Sequence, residues 1–292
     1  MIRQRLGKDL LFFDGGMGTL LQEKGLAPGE LPETWNLTHS EEIYKIHRQY
    51  IEAGSDIILT NTFGANALKF HDDSCSLEEI IKAAVSHVKK AEREALLQTG
   101  DERKIYTALD VGPTGKLLKP MGDLEFETAY EAFKEVVILG EQAGADLIHI
   151  ETMSDTYELK AAVLAAKENT SLPVFATVIF DERKKLLTGA DVSSVVALLE
   201  GLGVDALGIN CAMGPKEMLP VLEELIKYSS VPIIVKPNAG LPKQRDGETY
   251  YDVEPEQFAK TMEMIVETGA CVIGGCCGTT PDHIRAMIAQ CK

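Results

Sequence analysis

The chain has 292 residues, 45% hydrophobic and 25% charged, enough to bury a large core and in keeping with one globular domain over 1–292. Its 29 Lys and Arg stand against 45 Asp and Glu, and a formal charge of −16 leaves no electrostatic footprint for a phosphate backbone or an anionic membrane. No apolar stretch approaches the ~20 residues of a membrane span, and the apolar run 10–13 is too short for a signal peptide and ends in Asp14, so a cytoplasmic protein without nucleic-acid or membrane partners is expected.

Eight short apolar runs read as strands buried on both faces: 10–14, 56–63, 105–110, 147–153, 174–180, 206–211, 233–237 and 271–277. Helical periodicity fills the intervals, at 41–53, 77–97, 125–143, 155–167, 192–202, 215–228, 255–268 and 281–289. Strict alternation implies a parallel sheet. Eight strand–helix repeats in this length fit an α/β fold of the (β/α)8 barrel type, about 250 residues plus insertions, better than an open doubly wound sheet. Gly54, Gly144, Gly203 and Gly269 recur where a helix gives way to the second, fourth, sixth and eighth strands, where a left-handed residue ends a helix. The Gly- and Pro-rich stretch 237–251 reads as a long loop on the active face.

Barrels of this kind place their chemistry at the C-terminal ends of the strands. Those ends are polar here: Asp14, then Gly15, Gly16, Met17, Gly18 and Thr19; Thr60, Asn61 and Thr62; Asp110; Glu151 and Thr152; Cys211; Asn238; and Cys276 with Cys277. Asp14 follows Leu10 and Phe12 at period two, and Glu151 follows Leu147 and His149, so both acids are expected to face inward. A buried carboxylate needs a partner. A substrate ammonium would serve, and for Glu151 the alternative is a structural His or Lys. His149 lies deeper and reads as a core residue. The glycine loop 15–19 lets backbone N–H groups approach a small anion. Trp35 is expected to cover surface or, more sharply, to form a lid over a ligand.

Three of the six cysteines stand apart. Cys211 closes one apolar run, and the adjacent Cys276 and Cys277 close another. Neighbouring strand residues point to opposite faces, so both can reach one ion only through a sharp turn, which Gly274, Gly275 and Gly278 permit. Three thiolates converging on one barrel mouth suit zinc with a fourth position left for substrate. A disulfide is the competing reading, disfavoured in a chain read as cytosolic. Small buried hydrophobes are another, and that reading is taken for Cys75, Cys271 and Cys291.

The segments 14–19, 53–64, Gly208-Ile209-Asn210-Cys211, 236–240 and Gly274-Gly275-Cys276-Cys277-Gly278 together resemble the homocysteine S-methyltransferase family across essentially the whole chain. The resemblance is greatest to the N-terminal homocysteine-binding module of cobalamin-dependent methionine synthases and weaker to members using betaine or S-methylmethionine. It implies a zinc-bearing barrel with Cys211, Cys276 and Cys277 as ligands and homocysteine as substrate, activated as a zinc-bound thiolate. On that reading Glu151, with Asp14 nearby, meets the ammonium. The N–H groups of Gly15, Gly16, Gly18 and Thr19 meet the carboxylate, and Asn238 supplies a weak oxygen ligand that the substrate sulfur displaces. The methyl donor is expected to be methylcobalamin on a corrinoid-carrying partner or module, to give methionine. The chain stops where the eighth helix should end, which leaves open a free-standing enzyme or a module of a larger one. Two alternatives stand beside this reading: a sulfonium or betaine donor, and a non-catalytic zinc-binding interaction module.

Overall fold

The structure is a computed structural model and describes residues 1–70, 75–100, 102–245 and 248–292. Its parallel strands are Leu11–Phe12, Ile57–Leu59, Tyr106–Val111, Leu147–Met153, Val174–Val178, Ala206–Asn210, Ile233–Lys236 and Val272–Ile273. Each pairs with the barrel strands before and after it in sequence, around a ring: the first strand lies beside the eighth and the order then runs back to the second. A parallel bridge from Phe13 to Ile57 joins the first strand to the second. The expected (β/α)8 barrel is therefore what the chain forms.

The helices follow local chemistry. Ser76 and Glu79 form a reciprocal capping box at Leu77–Thr99, satisfying N–H groups that the first turn leaves without partners. Asp155 accepts from Tyr157 and Glu158 N–H to start Thr156–Asn169. Proline occupies the first turn of Pro215–Tyr228, Pro255–Thr268 and Pro281–Cys291, where its missing N–H costs nothing. Gly54, Gly144, Gly203 and Gly269 have φ of 114°, 97°, 72° and 129°, the left-handed stops expected of them.

Two apolar layers hold the barrel. Inside it, Leu11, Phe13, Ile57, Leu147, Phe175 and Ile234 form a plug, closed below by Ile2. Outside, Phe12, Ile58, Leu109, Phe133, Ile148 and Phe258 pack between sheet and helices, each contributing about 1.5–3 kcal/mol by burial. This division corrects one expectation. Phe12 faces outward with Leu10 packed against the same outer layer, while Leu11 and Phe13 face in. Asp14 reaches the interior because the strand ends before it, not because it shares a face with Phe12.

The strands are shorter than their apolar runs. After Leu59 the chain turns through Thr62 N–H to Thr60 O at 2.9 Å. Elements without a periodic signal also occur, chiefly the seven-residue helix Met17–Glu23 and the short turns Pro32–Thr34 and Trp35–Thr38. The 237–251 loop carries a small antiparallel ribbon, Lys243–Arg245 with Glu248–Tyr250; its residues 246–247 lie outside the described residues. Among the described residues no helix is long and apolar enough to cross a membrane.

Candidate metal centre and amino-acid pocket

Both thiol-bearing segments are bent sharply at the barrel mouth. Beyond Asn210 the backbone turns left-handed, with φ of 57° at Cys211 and 60° at Ala212, a conformation that costs about 1–3 kcal/mol per non-glycine residue. Beyond Ile273, Cys276 N–H donates to Pro237 O at 2.9 Å and Thr279 N–H to Cys276 O at 3.1 Å, a turn that needs φ of 77° at Gly278. The glycines around it allow interlocking. A Cβ on Gly16 would lie 2.8 Å from Cys276 O and force the first and eighth loops apart, and one on Gly275 would lie 2.2 Å from Thr279 Oγ1 within the eighth loop's own turn.

The result brings the three sulfurs together, all within 4.8 Å of one another, with Cys211 and Cys277 Sγ 3.9 Å apart. Tetrahedral zinc with Zn–S bonds of ~2.3 Å spaces its sulfurs about 3.8 Å apart, so the donor set fits that ion with little movement. The electrostatics agree. Hydrogen bonds from Cys276 and Cys277 pull the Cys211 thiol down to about 3, and the same hydrogen bonds to Cys211 hold Cys277 up at about 12 and Cys276 well above its ordinary value. Sulfurs this close disfavour ionising together, and a bound cation would offset that repulsion. Cys75, Cys271 and Cys291 are half-buried against the apolar layers instead.

Beside the thiols opens a cavity of about 420 Å³, lined by Cys211, Cys276 and Cys277, by Gly15–Thr19, and by Asp14, Asp110, Glu151 and Lys236. Lys236 is fully buried; its Nζ lies 2.5 Å from Glu151 Oε2 and 4.6 Å from the centre of the Phe13 ring. His149 Nε2 sits 3.2 Å from the same carboxylate oxygen, and burial lowers its imidazole to about 4, so it is neutral. Burial is the strongest influence on Glu151 and would raise it, but Lys236 and the contact with His149 together outweigh it and hold the carboxyl at about 2. Asp14 accepts Leu59 N–H at 2.9 Å on Oδ2, and desolvation lifts it to about 7.

The site residues read from the sequence fall into two groups. Cys211, Cys276, Cys277, Asp14, Glu151, Gly15, Gly16, Gly18 and Thr19 share the cavity wall. Within the loop, however, Gly16 N–H already donates to Thr279 O and Oγ1 at 3.2 and 3.1 Å, and so is not offered to an anion. Asn238 stands outside the lining. Its Oδ1 accepts Cys277 N–H at 3.1 Å, so the carboxamide braces the turn, and ligating a metal would mean giving up that bond. Trp35 is neither surface cover nor lid: it is buried, stacked on His39, and donates Nε1–H to Glu30 at 2.7 Å. Its neighbours Leu31, Pro32 and Glu33 line the cavity in its place.

Two important groups escaped the sequence reading. Lys236 is the lone charge in an apolar strand, a signal that a buried partner must exist. Asn210 accepts from Thr152 N–H and Thr177 Oγ1–H, and its Nδ2 lies 4.0 Å from Cys276 Sγ; its place directly before Cys211 was the available clue.

Comparison with known proteins accords with this geometry. Residues 11–291 match the family described as homocysteine S-methyltransferase. The chain is 35% identical to methionine synthases of Mycobacterium leprae (strain TN) and Mycobacterium tuberculosis (strain ATCC 25618 / H37Rv), over 99% and 97% of its own length. It spans about a quarter of those proteins, 25% of each. Among solved structures, the metallated form of the homocysteine methyltransferase MmuM from Escherichia coli superposes with a TM-score of 0.83 at 26% identity, covering 97% of both chains. The chain belongs to the homocysteine S-methyltransferase family.

Proposed function

We propose that this chain is a zinc-dependent methyltransferase that accepts a methyl group on homocysteine, giving methionine, with methylcobalamin on a separate corrinoid-carrying protein or module as donor. The observation that carries the reading is three sulfurs within 4.8 Å of one another on the wall of a cavity that also holds the acids. Cys211, Cys276 and Cys277 would hold the zinc, which when bound supplies a Lewis acid that keeps a substrate thiol ionised near neutral pH without costing its nucleophilicity. The chain's own residues do the rest. Asp14 and Glu151 receive the ammonium, and N–H groups of Gly15, Gly18 and Thr19 receive the carboxylate. Asn210 and Asn238 fix the loops that carry the thiols. Three thiolate ligands offer little power to acidify water, which favours sulfur alkylation over hydrolysis.

The donor assignment draws on the likeness to the N-terminal module of cobalamin-dependent synthases and on the fourfold greater length of the methionine synthases matched. A second reading, a small sulfonium or betaine donor, draws on the end-to-end match to MmuM. The test is methionine formation by the zinc-loaded chain with homocysteine and, in turn, methylcobalamin, S-methylmethionine and betaine. Turnover with methylcobalamin alone is expected. Turnover with either small donor would transfer the conclusion to the second reading. No methionine with any donor, and no homocysteine bound, would leave only a zinc-binding module.

A further inference from the structure

The cavity holds more acid than its visible partners can balance. Asp14, Glu33, Asp110 and Glu151 line it against two ammoniums, Lys69 and Lys236; Lys236 is committed to Glu151 at 2.5 Å, Lys69 lies over the Phe63 ring, and the imidazole of His149 is held neutral by burial. Asp110 is the least provided for. It pairs in register with His149 on the adjacent strand, which sets its side chain on the inner face two residues below Glu151. Its Oδ1 is buried without a hydrogen-bond partner among the described residues, as is that of Asp14. The nearby hydroxyls are already used by backbone: Asp110 N–H donates to Thr60 Oγ1 at 3.1 Å, and Thr62 Oγ1–H to Asp110 O at 2.7 Å. A buried carboxylate oxygen left in this way is destabilising, a cost that a bound cation would remove.

Resting on the homocysteine reading above, we propose that Asp110 is a further anionic contact for the substrate's α-ammonium, acting with Asp14, and that it makes the pocket select thiols bearing a primary ammonium. Glu151, neutralised by Lys236, then contributes direction more than net charge. The charge that comes to oppose the ammonium is that of the two aspartates, which ionise as the ammonium enters. Desolvation and the Glu151 charge push the Asp110 carboxyl well above the usual range, as expected of a buried acid beside a like charge. Facing it are Glu151, Lys236, Asp14 and Glu33, of which only Lys236 is cationic.

Asp110→Asn is a near-isosteric replacement and mimics a permanently protonated acid, so it separates a ligand contact from a merely structural carboxyl. The zinc-loaded protein and the variant are each titrated with homocysteine and with 4-mercaptobutanoate, which keeps the thiol and carboxylate and lacks the ammonium. The variant is expected to bind homocysteine tenfold or more weakly, the loss typical of one charge-assisted hydrogen bond. It should bind 4-mercaptobutanoate within about twofold of the unaltered protein, with unchanged zinc content. Equal affinity for homocysteine in both proteins, or equal losses for both thiols, would overturn the proposal and leave the homocysteine reading standing. Failure of the unaltered, zinc-loaded protein to bind homocysteine would remove both. Carboxyl 13C NMR of the unaltered protein gives the same answer without a variant: the Asp110 resonance should shift with homocysteine and stay in place with 4-mercaptobutanoate, and the reverse pattern would refute the contact.

Discussion

Cys276→Ala is expected to lose stoichiometric zinc while the barrel stays folded. Removing one of three thiolates breaks the ligand set itself, and since groups that only orient ligands are worth 10–100-fold in metal affinity, a loss beyond about 100-fold follows. The fold has other support. Cys276 belongs to neither apolar layer, and a barrel with so large a core does not depend on metal as a zinc finger does. The thermal midpoint should therefore fall by only about 2–4 °C, the shift of ~1 kcal/mol in a domain of this size. Metal analysis after dialysis against a mild chelator, beside a circular dichroism melt, reads both quantities. Cys291→Ala is the control, since that thiol is packed against the outer layer and should leave metal content untouched. Full zinc occupancy in Cys276→Ala would refute the three-thiolate site.

Lys236→Met should have the largest effect on stability. Lys236 and Glu151 form a buried ion pair, and deleting one partner of such a pair costs about 3–5 kcal/mol because the other charge is left uncompensated. The pH dependence follows from the sign of the Glu151 shift. Its carboxyl is held down at about 2 in the folded protein, so the pair's contribution is fully present above the ordinary carboxyl range near 4.5 and is lost as pH falls toward about 2. The deficit of Lys236→Met against the unaltered chain should accordingly be greatest near neutrality and shrink in acid, where Glu151 is protonated without help. Adding Glu151→Gln should recover part of the loss, a coupling that urea denaturation of the two single variants and the double variant would measure. Additive effects, or a deficit independent of pH, would mean that the two side chains do not act as a pair.

The barrel was legible because its signals are local and repeated. Apolar runs of strand length, helical periodicity between them and a left-handed glycine at four helix ends specify each unit without reference to the others. The thiol site was legible for a similar reason, since adjacent cysteines among glycines have few other uses. What stayed hidden depends on where a chain leaves its ladder and on what lies across the barrel. Asp14 points inward although Phe12 points outward, because pairing stops at the Phe13 bridge to Ile57. The Asn238 carboxamide could not be separated from a ligand without knowing that Cys277 N–H lies 3.1 Å away. The partnership of Lys236 with Glu151 joins residues 85 positions apart, and no spacing rule announces it. Trp35 was misread because an isolated aromatic in a proline-containing segment looks like a loop residue, whereas a short helix and the His39 ring bury it.

The central claim is that substrate sulfur enters the metal's coordination shell at Cys211, Cys276 and Cys277. X-ray absorption at the zinc edge, on zinc-loaded protein before and after saturation with homocysteine, tests this directly. The expected spectrum changes from three sulfurs and one lighter atom to four sulfurs, because an open tetrahedral site takes the thiolate in place of its weakest ligand. An unchanged first shell in protein shown by calorimetry to be saturated with homocysteine would mean that the amino acid is held by its polar end with the thiol turned away, and would contradict metal activation of the substrate.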